Sequence, residues 1–471
     1  MRSIFFNILL SISSLIFKLF SSVIIYIVFA RILSLDDYGL LIFGITFSGI
    51  MTVISEFGFS LMAQKDIPQN LFSFNKYVFN VLIQKFFFSS ISIIIGILYL
   101  LFIVSSSNYH VGLIFLFNSL ISSFVMYFIS IFKATNNFNF ELKSSFFYFI
   151  LILILLIINY FYKLNVNSIA IGFLIARIFQ LLIIIIDYYK KFKFSNFIYD
   201  KKIQKYLFYN SYSYGLFYIF GVLYFMIDTQ LLSIYSGNVS LGIYQSMINF
   251  ATIFLMIIEV FSSVFVQNLS SVYKNNYEFI FRVKLFNKFL IFFGLIFFMF
   301  FYFFTPYLFP IIYGNKFDPA LEILFPISLI IFIRFYLLIY SLILTISKNQ
   351  KYRLISVIIL LIFNFSINLY VIPSFSFNGA AYVNLMTHFF MVILYSIFIF
   401  KTFTSLFLDY RCLFMILTTL ILTYLSFNFF KLTLLNSLLI FILHFFILFI
   451  IYSKKDFLKT INLFFIKYKS V

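Results

Sequence analysis

Stretches such as SSFFYFILILILLIINYFY, residues 144–162, recur along this 471-residue chain, each about twenty residues long and free of charge. That is the length a helix needs to cross roughly 30 Å of hydrocarbon. Inside hydrocarbon a helix satisfies its own backbone hydrogen bonds, and no ten-residue alternation of apolar and polar residues marks the other solution, a closed barrel. With 64% hydrophobic and only 10% charged residues, the chain also lacks the polar surface a soluble particle of this size must show to water. The sequence therefore predicts an all-α membrane protein.

Apolar runs set against polar punctuation give about 14 transmembrane helices between residues 8 and 452, the second of them at 38–63. Charge tests that count independently of hydropathy, because loops on the cytoplasmic side carry an excess of Lys and Arg. With a cytoplasmic N-terminus, 25 of the 33 basic residues fall in inner segments and 4 in outer ones, namely Arg31, Lys163, Lys316 and Lys431. Both termini are expected in the cytoplasm. The net charge of +19 is thus a topological signal, and nucleic acid is not an expected partner, since its readers gather cations on one soluble face. Residues 1–30 are too long and apolar for a cleaved signal peptide and have a counterpart later in the chain. Cys412, the single cysteine, excludes an internal disulfide and a thiolate metal cluster.

An internal repeat organises the helices. A shift of 203 residues aligns Asn7 with Asn210, Gly39 with Gly242, Glu56 with Glu259, Ser60 with Ser263 and Gln64 with Gln267. The expected organisation is a six-helix lobe over 1–189, a basic cytoplasmic linker over 190–206 lying on anionic lipid, and a second six-helix lobe over 207–401. Residues 402–471 would add two helices and a basic tail. An even number of helices per unit orients both copies alike, the parallel-repeat arrangement in which a central cavity lies between lobes.

Ionisable side chains inside the spans are the candidates for function, because each costs a few kcal/mol or more in hydrocarbon unless it meets a cavity or a partner. Lys18 sits on a polar stripe of Asn7, Ser11, Ser14 and Ser21/Ser22, spaced like one helical face. Arg177 and Arg334 lie mid-span in the sixth and tenth helices, one per lobe, whereas Lys85 near a cytoplasmic end is expected to snorkel to the interface. Ser48, Thr52, Glu56, Ser60 and Gln64 form a slanted i, i+4 ridge, which Glu259, Ser263 and Gln267 repeat in part. Asp228, aligned with Ile25, breaks the symmetry and is a candidate for ion coupling or for a structural salt bridge. For His388 a hydrogen bond to a neighbouring helix is expected, and Pro306, Pro310 and Pro326 are expected to bend the ninth and tenth helices. No phosphate-binding loop, nucleophile elbow or metal-ligand cluster is found, so neither catalysis nor a cofactor is expected.

Three segments in order resemble one family. FARILSLDDYGLLIFGITF (29–47) with SEFGFSLMAQ (55–64), FMIDTQLLSIYSGNVSLGIYQ (225–245) and IIYGNKFDPALEILFPISL (311–329) resemble the Wzx-type polysaccharide transporters of the MATE/MOP superfamily. The resemblance implies a flippase of the bacterial cytoplasmic membrane that moves a polyprenyl-pyrophosphate-linked oligosaccharide, an O-antigen or capsule repeat unit, by alternating access. It implies cavity cations that handle the anionic lipid-linked sugar, for which Lys18, Arg177 and Arg334 occupy fitting depths. Coupling to H⁺ or Na⁺ would run through Asp228 or Glu56 and Glu259, although the arginine often preceding that aspartate is replaced by Phe225-Met226-Ile227. Membrane lipids and other glycan assembly proteins are the further partners implied. The rival readings are a drug/cation antiporter, which needs a compact acidic pocket, and a membrane-embedded glycan polymerase, which typically carries a long periplasmic loop.

Overall fold

The computed structural model describes residues 2–69, 72–192, 198–347, 350–400, 410–429, 433–452 and 459–460. It is helical along the described length. In chain order the helices are α1 (Arg2–Val23), α2 (Phe29–Ile32), α3 (Leu35–Glu56), α4 (Phe59–Asp66), α5 (Phe74–Phe102), α6 (Ser106–Ala134), α7 (Phe138–Tyr162) and α8 (Val166–Phe192). They continue as α9 (Lys201–Tyr235), α10 (Gly237–Ser270), α11 (Asn276–Tyr313), α12 (Leu324–Ile346), α13 (Gln350–Phe400), α14 (Tyr410–Phe429) and α15 (Leu434–Tyr452). A π-helical turn, Ile24–Val28, joins α1 to α2.

Twelve helices among the described residues are long and apolar enough to cross a membrane, and the chain is a multi-pass membrane protein. Sequence reading expected fourteen, and the difference has two sources. The loop expected at 373–378 is reduced to a break inside α13, where Ser376 holds φ 51° and ψ −137°. At 1.5 Å per residue those 51 residues would otherwise run about 77 Å, far beyond a bilayer. In α14 the assessable apolar stretch, Tyr410–Thr423, is short. Pro306 and Pro310 lie inside α11, which continues past both, and Pro326 sits in the first turn of α12, where its missing N–H has no intrahelical partner to lose.

The chain forms two compact units, Met1–Gly242 and Ile243–Val471, a division one helix beyond the basic stretch 190–206. In that stretch α8 and α9 are helical to Phe192 and from Lys201, and 193–197 lie outside the described residues, as does most of the basic tail after Tyr452. In the first unit α3 packs on α5, α6 and α9, α6 on α8, and α7 on α1 and α8. In the second unit α12 packs on α11 and α13, and α15 on α11 and α14.

Local signals explain the boundaries that matter for the site. Ser34 caps α3 by accepting from the Asp37 amide at 3.1 Å, while acidic Asp36 and Asp37 complement the positive helix end. Gly39 lets α3 meet Asn238 at the start of α10, where an added Cβ would lie 1.8 Å from the Asn238 carbonyl oxygen. The long α9 is tied at both ends. Near its start Tyr206 donates to Asp66 at 3.2 Å, and Tyr77 of α5 donates to the other Asp66 oxygen at 3.0 Å. Near its far end Gln230 donates to Thr46 of α3 at 2.8 Å and accepts from Tyr99 of α5 at 3.0 Å. Gly39→Ala is expected to lower stability by about 1–3 kcal/mol through forced separation of α3 from α10. Gly221→Ala in α9, with nothing within 4 Å of the added Cβ, is the control and should be neutral or slightly stabilising. Thermal unfolding of the detergent-solubilised pair checks both.

Candidate functional site

The ridge of polar residues on the second predicted helix does not lie on one helix. The chain breaks after Glu56, with Phe57 at φ 45° and Gly58 at φ 79°, both left-handed, before α4 begins. Glu56 makes that break tolerable. Its carboxylate accepts from the Gly58 amide at 2.8 Å and the Ser60 amide at 2.5 Å, so the buried charge meets the first free N–H groups of α4. Phe57 turns inward, its ring stacked on Phe88 at 3.9 Å and close against Gly215 of α9. Despite the break, Ser48, Thr52, Glu56, Ser60 and Gln64 all line one cavity, so the i, i+4 reading identified a real face.

That cavity lies within the first unit and has a volume of about 660 Å³. Its walls come from α1, α3, α4, α6, α7, α8 and α9, the last through Tyr218, Val222 and Met226. Two of the expected cations reach it. Lys18 of α1 places Nζ 2.6 Å from Glu141 Oε1 of α7, and Lys133 of α6 places its own ammonium 2.9 Å from the same oxygen. Glu141 is buried at 1% exposure, whereas the Lys18 and Lys133 side chains are 44% and 29% exposed. One turn away, Ser14 and Ser145 share a hydrogen bond of 2.9 Å, which extends the contact of α1 with α7.

Arg177 of α8 supplies the second pole of the cavity. Its guanidinium carbon lies 3.9 Å from the centre of the Tyr148 ring, and Nη1 donates to Gln180 Oε1 at 2.7 Å. Gln180 in turn donates to Ser144 Oγ at 2.9 Å, tying α8 to α7. Ser60 Oγ, Asn118 Oδ1, Glu141 Oε2 and Arg177 Nε all belong to cavity-lining residues and are buried without a hydrogen-bond partner.

The other predicted residues separate from this cavity. Asp228 is buried in α9, away from its lining. Arg334 belongs to the second unit, where Nε donates to His388 Nε2 at 3.0 Å. His388 Nδ1 stands 2.9 Å from the Asn384 carbonyl oxygen, so with Nδ1 protonated the neutral ring donates there and accepts from the guanidinium. The Glu259, Ser263 and Gln267 side chains, like those of Asn7 and Ser11, lie outside the described residues. Lys85 corrects the sequence reading. It does not snorkel but is 0% exposed in α5, donating to Ser123 at 2.6 Å with its ammonium 5.3 and 5.6 Å from the Phe124 and Tyr127 ring centres. A chain of Ser55, Ser89 and Ser123 hydroxyls joins it there, which compensates a buried cation without exposing it.

Sequence reading missed Lys133 and Glu141 as site residues. Both flank the Thr135–Asn137 turn between α6 and α7 and pass for ordinary loop charges, since nothing local reveals that α1 returns to them. No group of three or more His, Cys, Asp or Glu that would hold a metal occurs among the described residues.

Comparison with known proteins agrees with this architecture. A family model described as "Polysaccharide biosynthesis protein" matches residues 4–268, and the chain belongs to that family. No curated protein matches by sequence. Among solved structures, the lipid II flippase MurJ in an inward closed conformation superposes with a TM-score of 0.74 at 18% identity, over 94% of this chain and 98% of that one. An inward-facing multidrug resistance MATE family transporter of the MOP superfamily gives 0.63 at 14% identity, over 83% of this chain and 96% of that one. The superpositions show a shared fold, the one implied by the sequence resemblance.

Removing the Glu56 carboxylate should expose the role assigned to it here. Glu56→Ala is expected to cost roughly 1–3 kcal/mol, because two buried amides at the α3–α4 break lose their acceptor. A lowered unfolding temperature in detergent, with glycan-independent loss of monodispersity, checks this.

Proposed function

We propose that the chain is a flippase that carries a polyprenyl-pyrophosphate-linked oligosaccharide across the bacterial cytoplasmic membrane. The observation that carries this reading is that Lys18 and Arg177 reach one cavity, with Lys133 paired beside Lys18, in a member of the polysaccharide biosynthesis family. A diphosphate leaves water only if cations with free N–H groups replace its hydration. A lysine ammonium has three donors and a guanidinium five, so each can meet a diphosphate with more than one N–H. Neutral polar side chains such as Asn118 and Ser122 offer the hydrogen bonds a sugar needs, while the prenyl chain stays in lipid.

In this proposal the cargo is an O-antigen or capsule repeat unit, both termini are cytoplasmic, and access alternates as the two halves of the chain rearrange. Arg334 serves the second unit, with His388 as its partner. No catalytic step or cofactor is needed; other glycan assembly proteins supply and consume the lipid-linked sugar. Coupling to H⁺ or Na⁺ is assigned to Asp228, since both Glu56 oxygens are occupied by backbone amides. Glu259 is the corresponding gating candidate of the second repeat.

The MATE likeness keeps drug/cation antiport as the competing reading. The cavity lining disfavours it, because three cations against two carboxylates repel a cationic drug. Lys18→Ala combined with Arg177→Ala is expected to reduce surface glycan about tenfold or more at unchanged expression, with drug susceptibility unaltered. Unchanged glycan with increased drug susceptibility would favour the antiporter.

A further inference from the structure

Glu141 has one more cation than it needs. Lys133 and Glu141 stand on the two arms of the short α6–α7 hairpin, so their pairing is local and survives any movement of α1. Lys18 comes from a distant part of the sequence and is the more exposed of the two lysines, and both line the cavity. Both ammonium groups crowd onto Oε1, while Oε2 is buried without any donor. Stripping the only partner from a buried charge is strongly unfavourable. Here the loss of Lys18 leaves Glu141 still paired with Lys133.

From this asymmetry we infer that Glu141 is an internal counter-anion that a ligand phosphate displaces from Lys18, with Lys133 as the positioning residue that makes the exchange affordable. The inference rests on the flippase reading, since it takes the arriving anion to be the cargo's diphosphate. In the structure Lys18 donates to Glu141. When the diphosphate arrives, the ammonium turns to it, one charge-assisted hydrogen bond replaces another, and Glu141 stays compensated by the hairpin lysine. Lys18 thereby stays paired until an anion of higher charge competes for it.

The obvious variant, Glu141→Gln, tightens anion binding on this scheme, but it also adds one net positive charge. Pairing it with Lys133→Gln restores the original net charge while still freeing Lys18. Inorganic pyrophosphate is therefore titrated calorimetrically into the purified full-length protein, wild type and variants. The E141Q/K133Q protein should bind roughly tenfold more tightly than wild type, whereas Lys133→Gln alone should bind more weakly and Lys133→Arg should restore wild-type affinity. Equal affinity of the double variant and wild type overturns the exchange in favour of a simple net-charge effect. Weaker binding overturns it in favour of Lys133 as a direct ligand. If wild-type protein binds pyrophosphate no better than a Lys18→Ala variant, the reading of a diphosphate cargo at Lys18 fails, and the exchange fails with it. Folding of each variant is verified by its elution as a monodisperse particle before titration.

Discussion

Charge in hydrocarbon must be answered at close range, and the answer given to Glu56 shapes the first unit. Its carboxylate sits where α3 stops, and its two oxygens take the Gly58 and Ser60 amides that the break sets free. Neither is tenable without the other: an uncapped α4 would leave buried N–H groups, and an unpartnered carboxylate would cost several kcal/mol. The turn they stabilise swings Phe57 between Phe88 and Gly215, bringing α9 close. It also keeps Ser60 and Gln64 on the same cavity as Ser48 and Thr52.

Elsewhere the same constraint is met in different currencies. Lys85 is answered by the Ser123 hydroxyl and two aromatic faces, and Arg334 by the His388 imidazole. At the cavity the answer is partial: Arg177 Nε and Glu141 Oε2 are buried without a hydrogen-bond partner, and both residues line it.

How far this was legible in the sequence follows from the range of the interactions. Span lengths are set by the membrane, so the all-helical class and most helices were readable from apolar runs. The ridge through Glu56 was readable because i, i+4 spacing is local, even though the helix carrying it breaks; no periodicity rule anticipates two left-handed residues at Phe57 and Gly58. Lys18 and Arg177 stood out as charges in hydrocarbon. Lys133 and Glu141 did not, because their importance comes from α1 packing against α7, a contact across more than 120 residues. Lys85 was misread for the same reason: depth along a helix says little about the hydroxyls that neighbouring helices turn towards it.

The ties on α9 constrain how the cavity wall can move. Asp66 grips Tyr206 near one end and Thr46 grips Gln230 near the other, while Tyr218, Val222 and Met226 face the cavity between them. The helix is also held in its middle, where Phe57 and Gly58 lie against Tyr214 and Gly215. A rod fastened at three points neither swings nor bows freely, so within this unit the wall that α9 gives the cavity is set by the break after Glu56 as much as by the ties at its ends.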